Sequence, residues 1–346
     1  MKKKVAIVAG GYSSEYVVSL KSAEGLLSFI DSDRYETYIV LITKDQWFVQ
    51  LPPTATQPEG GHENIIPIDK NDFGFIHEGE KKYFDFAYIT IHGTPGENGL
   101  LQGYFDILKI PYSSCGVLTS ALTFNKYFCN RFLTNYGVKT AKSICLHKNE
   151  NWNPTDIQSE LGLPVFVKPN DSGSSFGVTK VIAANQLQAA VTTAFEEGTE
   201  VLVEQLLQGT EVTCGCYKTR DKIIVFPITE VVSRNEFFDY AAKYTPNGAE
   251  EITPARISTQ LTEAIQQLTE KIYHWINAKG FIRIDYIISP EGEINMLEVN
   301  TVPGMTTTSF IPQQIKAAGL NIRNVLTEII ETTLHPPKGG VIQSPL

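Results

Sequence analysis

Cysteine, long apolar runs and positive charge are all scarce in this 346-residue sequence. The five cysteines are scattered and include no pair of C-x-x-C motifs, so their spacing suggests neither a zinc site nor a disulfide framework. The apolar run 5–9 after the N-terminal lysines is too short for a signal peptide, and no other run is long enough to cross a bilayer. A net charge of −9 argues against a nucleic-acid partner. We therefore expect a cytoplasmic protein that binds neither membranes nor nucleic acids.

What is present is an ordinary globular composition, 42% hydrophobic and 19% charged, in a chain long enough for two or three packed units. The first part of the chain, about 120 residues, alternates strand and helix patterns, which predicts an α/β unit with a parallel sheet and crossover helices. The strands expected there are 5–9, 35–42 and 84–91, and the helices are 17–30 and 100–108. A polar, Pro-rich stretch at 51–63 indicates a surface excursion.

The rest of the chain has a different pattern. A helical run at 118–136 ends at Gly137 and is followed by expected strands at 143–146, 164–168, 177–182, 201–205, 211–217 and 222–230. An irregular loop is expected at 234–253, and an amphipathic helix with apolar residues from Leu261 to Ile276 ends before Gly280. The tail after Pro336 is expected to be mobile.

Residues 281–300, FIRIDYIISPEGEINMLEVN, carry the most informative pattern. Two β-rich runs flank a turn, which we centre on residues 291–292. This register places Asp285 opposite Glu298 and Arg283 opposite Asn300, with all four side chains on one face of the hairpin.

Carboxylates directly across a ladder repel each other, so a positive group is expected between Asp285 and Glu298. A set of Asp, Glu and Asn oxygens suits a hard cation such as Mg²⁺ or Mn²⁺, which keeps places for substrate phosphates. The alternative is a solvated outer face of a hairpin. On these residues we favour a metal–nucleotide site.

The segment VKPNDSGSSFG at 167–177 places Lys168 at the end of a strand and a loop of small residues after it. Such a loop lets backbone N–H groups surround an anion, and lysine supplies positive charge for phosphate. The lysine precedes the loop and no helix follows, so this is not a P-loop. Alone, a Gly/Ser loop is most often only a turn.

Three further segments carry candidate side chains. In 203–211, Glu204 is placed to accept from an adenine amine and Glu211 to bind ribose hydroxyls, although glutamates at strand ends are commonly plain surface. Glu15 follows a buried strand in GGYSSE, where it either holds a substrate ammonium or complements a helix dipole. His92 begins HGTPGENG at the same sheet edge, where a structural role is the alternative.

Taken together, these segments closely resemble the D-alanine–D-alanine ligases of the ATP-grasp superfamily. The matching stretches are GGYSSEYVVSL (10–20), HGTPGENG (92–99), SALTFNK (120–126), VKPNDSGSSFG (167–177), EQLLQGTE (204–211), FFDYAAKY (237–244), RID (283–285) and LEVNTVPGMTTTSF (297–310). The resemblance implies an N-terminal Rossmann-like domain at 1–118, a central ATP-grasp subdomain at 119–207, a C-terminal subdomain of α+β type at 208–335 and a flexible tail at 336–346.

The resemblance also implies roles. ATP would be bound by lysines, the Gly/Ser loop, two glutamates and the chain between them: Lys126, Lys168, Lys243, Ser172, Gly173, Ser175, Glu204, Gln205, Leu206, Leu207 and Glu211. Two Mg²⁺ or Mn²⁺ ions would be bound by Asp285, Glu298 and Asn300.

For the substrates, the resemblance implies that Glu15 binds the ammonium of a first D-alanine and hydrogen-bonds towards Ser174 and Tyr244. A second set of residues would position the substrates: His92, Gly304, Met305 and Ser309. Within this set, Ser309 and the backbone of 304–305 would hold the second D-alanine. Arg283 and the Gly304 N–H would stabilise the tetrahedral centre.

The implied reaction joins two D-alanines with ATP for peptidoglycan synthesis, in a homodimeric enzyme. Phe310 stands where leucine is usual and Val302 where serine or proline is common, both beside the second-substrate pocket. Tyr244 favours D-alanine over a D-hydroxy acid. The alternatives are a ligase making D-alanyl-D-lactate or D-alanyl-D-serine, and a non-catalytic nucleotide-binding module.

Overall fold

The computed structural model describes residues 2–51, 65–171, 177–233 and 249–336. The predicted excursion from residue 52 onwards, the Gly/Ser loop at 172–176, most of the predicted 234–253 loop and the tail from 337 lie outside the described residues. Strands and helices are numbered below in chain order.

The N-terminal sheet has the order β4-β3-β2-β1-β7. Its strands are β1 Lys3–Gly10, β2 Tyr35–Ile42, β3 Trp47–Gln50, β4 Ile65–Pro67 and β7 Phe86–Ile89. The central strand β1 runs parallel to both β2 and β7, as the alternating pattern predicted, and residues 5–9 are fully buried. Two antiparallel strands, β3 and β4, extend the edge and were not predicted, and β5 (Phe75–His77) and β6 (Glu80–Lys82) form a small separate hairpin.

Helices α1 (Tyr16–Phe29) and α2 (Leu100–Leu108) lie where the sequence predicted them. The predicted single helical run at 118–136 is wrong, because it divides into α3 (Val117–Phe124) and α4 (Lys126–Thr134). Asn125 between them has an extended backbone, and its side chain accepts a hydrogen bond from the Phe128 N–H. Asparagine is a strong N-cap residue, so a new helix begins at Lys126.

The central sheet is antiparallel, with the order β11-β10-β12-β9. Its strands are β9 Ser143–His147, β10 Val165–Pro169, β11 Thr179–Val181 and β12 Glu200–Gln205, close to the predicted bounds. Helices α5 (Pro154–Leu161) and α6 (Leu187–Glu197) were not predicted, and their apolar residues pack with those of the sheet in one core.

The C-terminal sheet has the order β16-β15-β13-β17-β18-β8, with β14 paired to β13. Its strands are β8 Lys139–Thr140, β13 Thr210–Lys218, β14 Ile223–Val225, β15 Thr229–Ser233, β16 Ala249–Ile252, β17 Phe281–Ile288 and β18 Ile294–Asn300. The predicted strand 222–230 is two strands, separated around Pro227, which has no N–H to donate to a ladder. The prediction of an irregular loop at 234–253 is wrong for residues 249–252, which form β16 and pair with β15.

Three helices accompany this sheet: α7 (Thr259–Trp275), which was predicted, and α8 (Phe310–Ala317) and α9 (Ile322–Leu334), which were not. Apolar residues of α8 and α9 share one core cluster with β1, α1 and β17. The C-terminal helices therefore join the first sheet to the third. Within the described ranges, no helix has the length and apolar content to cross a membrane.

The β17–β18 hairpin has the predicted pairing at its far end, but the predicted turn is wrong. Gly292, at φ 84°, donates its N–H to the Ser289 carbonyl, and Ser289 pairs with Glu293 across a three-residue loop. This pairing alone would put Asp285 opposite Leu297. A bulge at Leu297 shifts the register by one residue, so that Asp285 faces Glu298 and Arg283 faces Asn300.

Candidate active site

Four polar side chains share the face of the β17–β18 hairpin that points away from the core. Arg283 donates from Nε and Nη2 to the two oxygens of Asp285, at 2.9 and 2.8 Å. Thr213 on the neighbouring strand β13 donates its hydroxyl to Asp285 at 2.5 Å. The Asn300 amide lies 3.3 Å from Asp285 and 3.4 Å from Glu298. The predicted cluster therefore forms.

The expected positive charge beside the two carboxylates is present, but side chains supply it. Arg283 neutralises Asp285, and the Lys126 ammonium lies 3.7 Å from a Glu298 oxygen. The expectation of a positive group is therefore confirmed, and the metal ion itself stays a prediction. The donor set still fits a hard cation, because Asp285, Glu298 and the Asn300 amide offer oxygen only and converge on one face. For ligation, the Asn300 amide has to present its oxygen in place of its NH₂ group.

Arg283 is held in place by more than its carboxylate partner. Its guanidinium lies over the Phe310 ring, 5.3 Å from the ring centre, and the side chain is 16% exposed. Burial opposes its charge, but Asp285 and then Glu298 and Glu97 keep the pKa of Arg283 above its ordinary value. Phe310, the residue at which the sequence departs from the usual leucine, thus supplies an aromatic face for a charged arginine.

The predicted ATP lysines approach the same region from two elements. Lys126 is the first residue of α4, and its N–H donates to the Asn170 carbonyl at 3.2 Å. The Asn170 side chain accepts from the Tyr127 N–H at 2.8 Å, which fastens the helix start to the end of β10. Lys168, two residues earlier on β10, forms a short ion pair with Glu204 on β12.

The Lys168–Glu204 pair is 14% and 8% exposed, so these two residues, both predicted to meet ATP, neutralise each other's charge. Gln205, the last residue of β12, and Leu206 after it donate their N–H groups to the carbonyls of Lys142 and Pro164, and Leu207 is half-buried. Glu211 lies on β13 opposite Ile287 of β17, and β17 pairs on its other side with β18. Glu211 is therefore in the same sheet as the Asp285 cluster.

The predicted substrate residues of the N-terminal part also converge. Glu15 is buried and lines a cleft together with Tyr12 and Gly93. Ser22 Oγ lies 3.3 Å from His92 Nε2 and accepts from the Met305 N–H at 3.3 Å. His92 and Met305, more than two hundred residues apart in sequence, are therefore linked through one hydroxyl on α1.

A partly buried carboxylate that the sequence patterns did not indicate lies beside Glu15. Glu97 accepts from the Gly93 N–H at 2.7 Å, and burial, followed by the negative charge of Glu15, raises its pKa to about 8. Burial also lowers the pKa of His92, although Glu15 partly opposes this, so the imidazole is neutral at pH 7. The sequence signal for Glu97 is its place in the HGTPGENG motif, but the Gly, Pro and Asn residues of that motif are equally explained by a turn.

The loop before α8 is folded closely on itself and on α1. Ser309 Oγ accepts from the Thr306 N–H at 3.1 Å. A Cβ on Gly304 would lie 2.9 Å from Ser309 Oγ, and one on Gly25 would lie 2.1 Å from the Met305 carbonyl oxygen. These glycines let α1 and the 304–309 loop approach to backbone contact.

Several predicted site residues cannot be placed. These residues lie outside the described ranges: Ser172, Gly173, Ser174, Ser175, Lys243 and Tyr244. The contacts expected among Glu15, Ser174 and Tyr244 therefore stay a prediction.

Comparisons with known proteins agree with this geometry. A family model described as D-ala D-ala ligase N-terminus matches residues 4–115, and one described as D-ala D-ala ligase C-terminus matches residues 132–331. The D-alanine–D-alanine ligase of Azobacteroides pseudotrichonymphae is 62% identical over 95% of this chain and 99% of its own length. That of Parabacteroides distasonis is 60% identical over 98% and 99%.

Solved structures give the same result. The VanG D-Ala:D-Ser ligase of Enterococcus faecalis is 33% identical with a TM-score of 0.82, covering 95% of this chain and 99% of its own. D-alanyl-alanine synthetase A of Vibrio cholerae is 27% identical with a TM-score of 0.84, covering 96% and 98%. An ATP complex of the Bacillus anthracis D-alanine–D-alanine ligase is 29% identical with a TM-score of 0.75, covering 96% and 97%. From both family models and these relatives, the chain belongs to the D-ala D-ala ligase family.

Proposed function

We propose that this chain joins two D-alanines into D-alanyl-D-alanine at the expense of ATP, through an acyl-phosphate intermediate, for peptidoglycan precursor synthesis in the cytoplasm. The observation that carries the proposal is the common face of Arg283, Asp285, Glu298 and Asn300 beside Lys126. The curated relatives of 51–62% identity over nearly the whole chain, all named D-alanine–D-alanine ligase, support it.

In the first step, a carboxylate oxygen of the first D-alanine attacks the γ-phosphorus of ATP and ADP leaves. Lys126 and Lys168 neutralise phosphate charge, which is the main task of protein groups in phosphoryl transfer. When Mg²⁺ or Mn²⁺ is bound by Asp285, Glu298 and Asn300, it supplies further charge neutralisation at the phosphates. Glu15 holds the ammonium of this D-alanine.

In the second step, the amine of the second D-alanine attacks the acyl carbon and phosphate leaves. The developing oxyanion accepts hydrogen bonds from Arg283 and the Gly304 N–H. Donors fixed in advance at a developing charge are effective because they need no reorganisation during the reaction, and Arg283 is fixed by Asp285 and Phe310. Ser309 and the 304–305 backbone orient the second D-alanine.

Water has to be excluded, because an acyl phosphate hydrolyses. Closure over the site is assigned to the Gly/Ser loop with Ser172, Gly173, Ser174 and Ser175, and to the loop carrying Lys243 and Tyr244. Adenine and ribose are assigned to Glu204, Glu211 and the 205–207 backbone. We also propose that the chain consists of three structural units, divided after residues 118 and 207, and that it forms a homodimer.

One assay separates the candidate activities: phosphate release from ATP with D-alanine alone, or with D-lactate, D-serine or L-alanine added, followed by the mass of the product. The expected product is D-alanyl-D-alanine. The one specific observation in favour of D-alanyl-D-serine is the 33% identical D-Ala:D-Ser ligase structure. A product containing serine or lactate would replace the proposal. If no D-amino acid stimulates the release of phosphate from ATP, the non-catalytic module is supported instead.

A further inference from the structure

Three side chains of different chemistry meet on the outer strand pair of the central sheet. Cys145 and His147 are two residues apart on β9 and so point to the same side. Glu200 on β12 lies directly opposite His147, and its neighbour two positions on, Leu202, lies opposite Cys145. Sequence spacing does not indicate this group, because a C-x-H pair and a single glutamate 53 positions away match no common metal-site spacing.

The ligating atoms are close together. Cys145 Sγ, a ring nitrogen of His147 and a Glu200 carboxylate oxygen all lie within 4.8 Å of one another, and His147 Nδ1 lies 3.4 Å from Glu200 Oε1. His147 is 47% exposed and Glu200 is 24% exposed, so the group opens to solvent. We propose that Cys145, His147 and Glu200 form a binding site for one divalent transition-metal ion of the Zn²⁺ type. This site is separate from the Asp285 cluster.

The donor atoms select this class of metal. A thiolate, an imidazole and a carboxylate are the ligands of tetrahedral Zn²⁺ sites, whereas Mg²⁺ takes oxygen ligands. Three protein ligands leave one position, which the exposed side of the cluster gives to water or to an exogenous ligand. The same site accepts Co²⁺, which provides a spectroscopic probe.

Glu200 is already oriented as a metal-bound carboxylate would be. Its Oε2 accepts from the side-chain amides of Asn170 at 2.6 Å and Asn125 at 3.0 Å, while Oε1 faces His147. Both asparagines are tied to the start of α4, Asn125 as its N-cap and Asn170 through the Tyr127 N–H. Such outer hydrogen bonds fix ligand geometry in established metal sites.

Negatively charged side chains surround the group, because Glu150 and Asp171 lie close enough to act on Cys145 together with Glu200. These charges attract a dication, which replaces the thiol proton on binding. Glu200 also accepts hydrogen bonds from Asn125 and Asn170, which hold the start of the helix that carries Lys126. A metal bound at Glu200 would therefore be connected through one asparagine to a proposed phosphate-binding residue.

Cobalt titration tests the proposal directly. The full-length protein is stripped with a chelator, kept in a non-thiol reductant and titrated with Co²⁺ in the presence of excess Mg²⁺, which occupies oxygen-only sites. We expect one equivalent to bind with a thiolate-to-cobalt charge-transfer band. Cys145→Ser should abolish the band, and His147→Gln should weaken Co²⁺ binding by at least about tenfold.

The matched control is His274→Gln, which removes an exposed histidine at the end of α7 and should leave the titration unchanged. Zn²⁺ should displace Co²⁺ with loss of the band and raise the melting temperature of the unaltered protein by a few degrees, but not that of Cys145→Ser. Equal melting temperatures of the metal-free variants exclude a folding defect. The proposal is overturned if no thiolate band appears, or if Cys145→Ser and His147→Gln bind Co²⁺ like the unaltered chain. The readouts need no ligase activity, so they stand whether or not the proposed function does.

Discussion

Arg283 holds both carboxylate oxygens of Asp285, two residues along the same strand, at 2.9 and 2.8 Å. A metal ion at Asp285 and the Arg283 guanidinium therefore compete for the same oxygens. The ion pair thus holds the proposed oxyanion donor beside the metal-binding face before substrates arrive.

Arg283→Ala should lower the rate of dipeptide formation by about 10²–10³-fold, because it removes a donor to the tetrahedral centre. Mg²⁺-dependent ATP binding should persist or tighten, since Asp285 loses its competitor. Turnover and calorimetric ATP titration measure the two effects. Arg323→Ala, an exposed arginine on α9, is the control and should change neither. Near-normal dipeptide formation by Arg283→Ala would remove the arginine from the reaction.

Glu15→Gln should raise the KM for the first D-alanine by at least about tenfold while changing the KM for ATP little, because a buried carboxylate facing an ammonium loses its charge. Glu24→Gln makes the same change on the exposed side of α1 and should have no effect. Steady-state kinetics with each substrate varied in turn provide the measurement. Equal rises in both KM values would place Glu15 outside the substrate site.

Glu97→Gln should stabilise the ligand-free protein at neutral and alkaline pH. The folded pKa of Glu97 lies above its unfolded value of 4.5, so the folded chain binds the extra proton and stability falls as pH rises from about 4.5 towards 8. Glutamine retains an acceptor for the Gly93 N–H and has no charge to bury. The gain in unfolding free energy should grow with pH to no more than about 5 kcal/mol.

Urea unfolding of Glu97→Gln and the unaltered chain between pH 5 and 8.5 measures this difference. The two curves should converge at the acid end, and Glu24→Gln should follow the unaltered chain throughout. A constant offset across the pH range would mean that packing, and not titration, is responsible.

Gly25→Ala should destabilise the protein by about 2–3 kcal/mol, because the new Cβ would lie 2.1 Å from the Met305 carbonyl oxygen. It should also raise the KM for the second D-alanine, since the 304–309 loop has to move. Gly103→Ala is the matched control on α2, where the nearest side-chain atom is 3.7 Å away and alanine should stabilise the helix slightly. Thermal unfolding that ranks the two variants equally would contradict the close approach.

Sequence patterns predicted the elements that depend on local periodicity. The buried strand at 5–9 follows from its apolar run and the helix at 100–108 from helical spacing, and the structure confirms both. The facing pairs Asp285–Glu298 and Arg283–Asn300 are also confirmed, but they are produced by the bulge at Leu297 and not by the predicted turn. The break at Asn125 was missed because apolar residues continue on both sides of it, while one side-chain cap decides the helix boundary.

Other features depend on contacts that are distant in sequence. Glu97 was assigned no role, because its burial and its proximity to Glu15 arise only when the two sheet-edge loops meet. The positive charge at the facing carboxylates comes from Arg283 and Lys126, and Lys126 is held there through the backbone carbonyl of Asn170, which directly follows β10. Residue types indicated the chemistry of the site, but charge balance within it required the fold.

The bulge at Leu297 has a consequence for how this hairpin tolerates change in length. Core-facing positions on β18 are 294, 296 and then 299, a spacing of two followed by three. A regular strand keeps a spacing of two, so the bulge places Leu297 as one extra residue between two core-facing positions. Deleting Leu297 alone would make the strand regular, with Glu298 still opposite Asp285 and Asn300 still on the outward face. Deleting any other single residue between Met296 and Asn300 would leave the bulge or reverse a side chain, so position 297 is where this strand can be shortened.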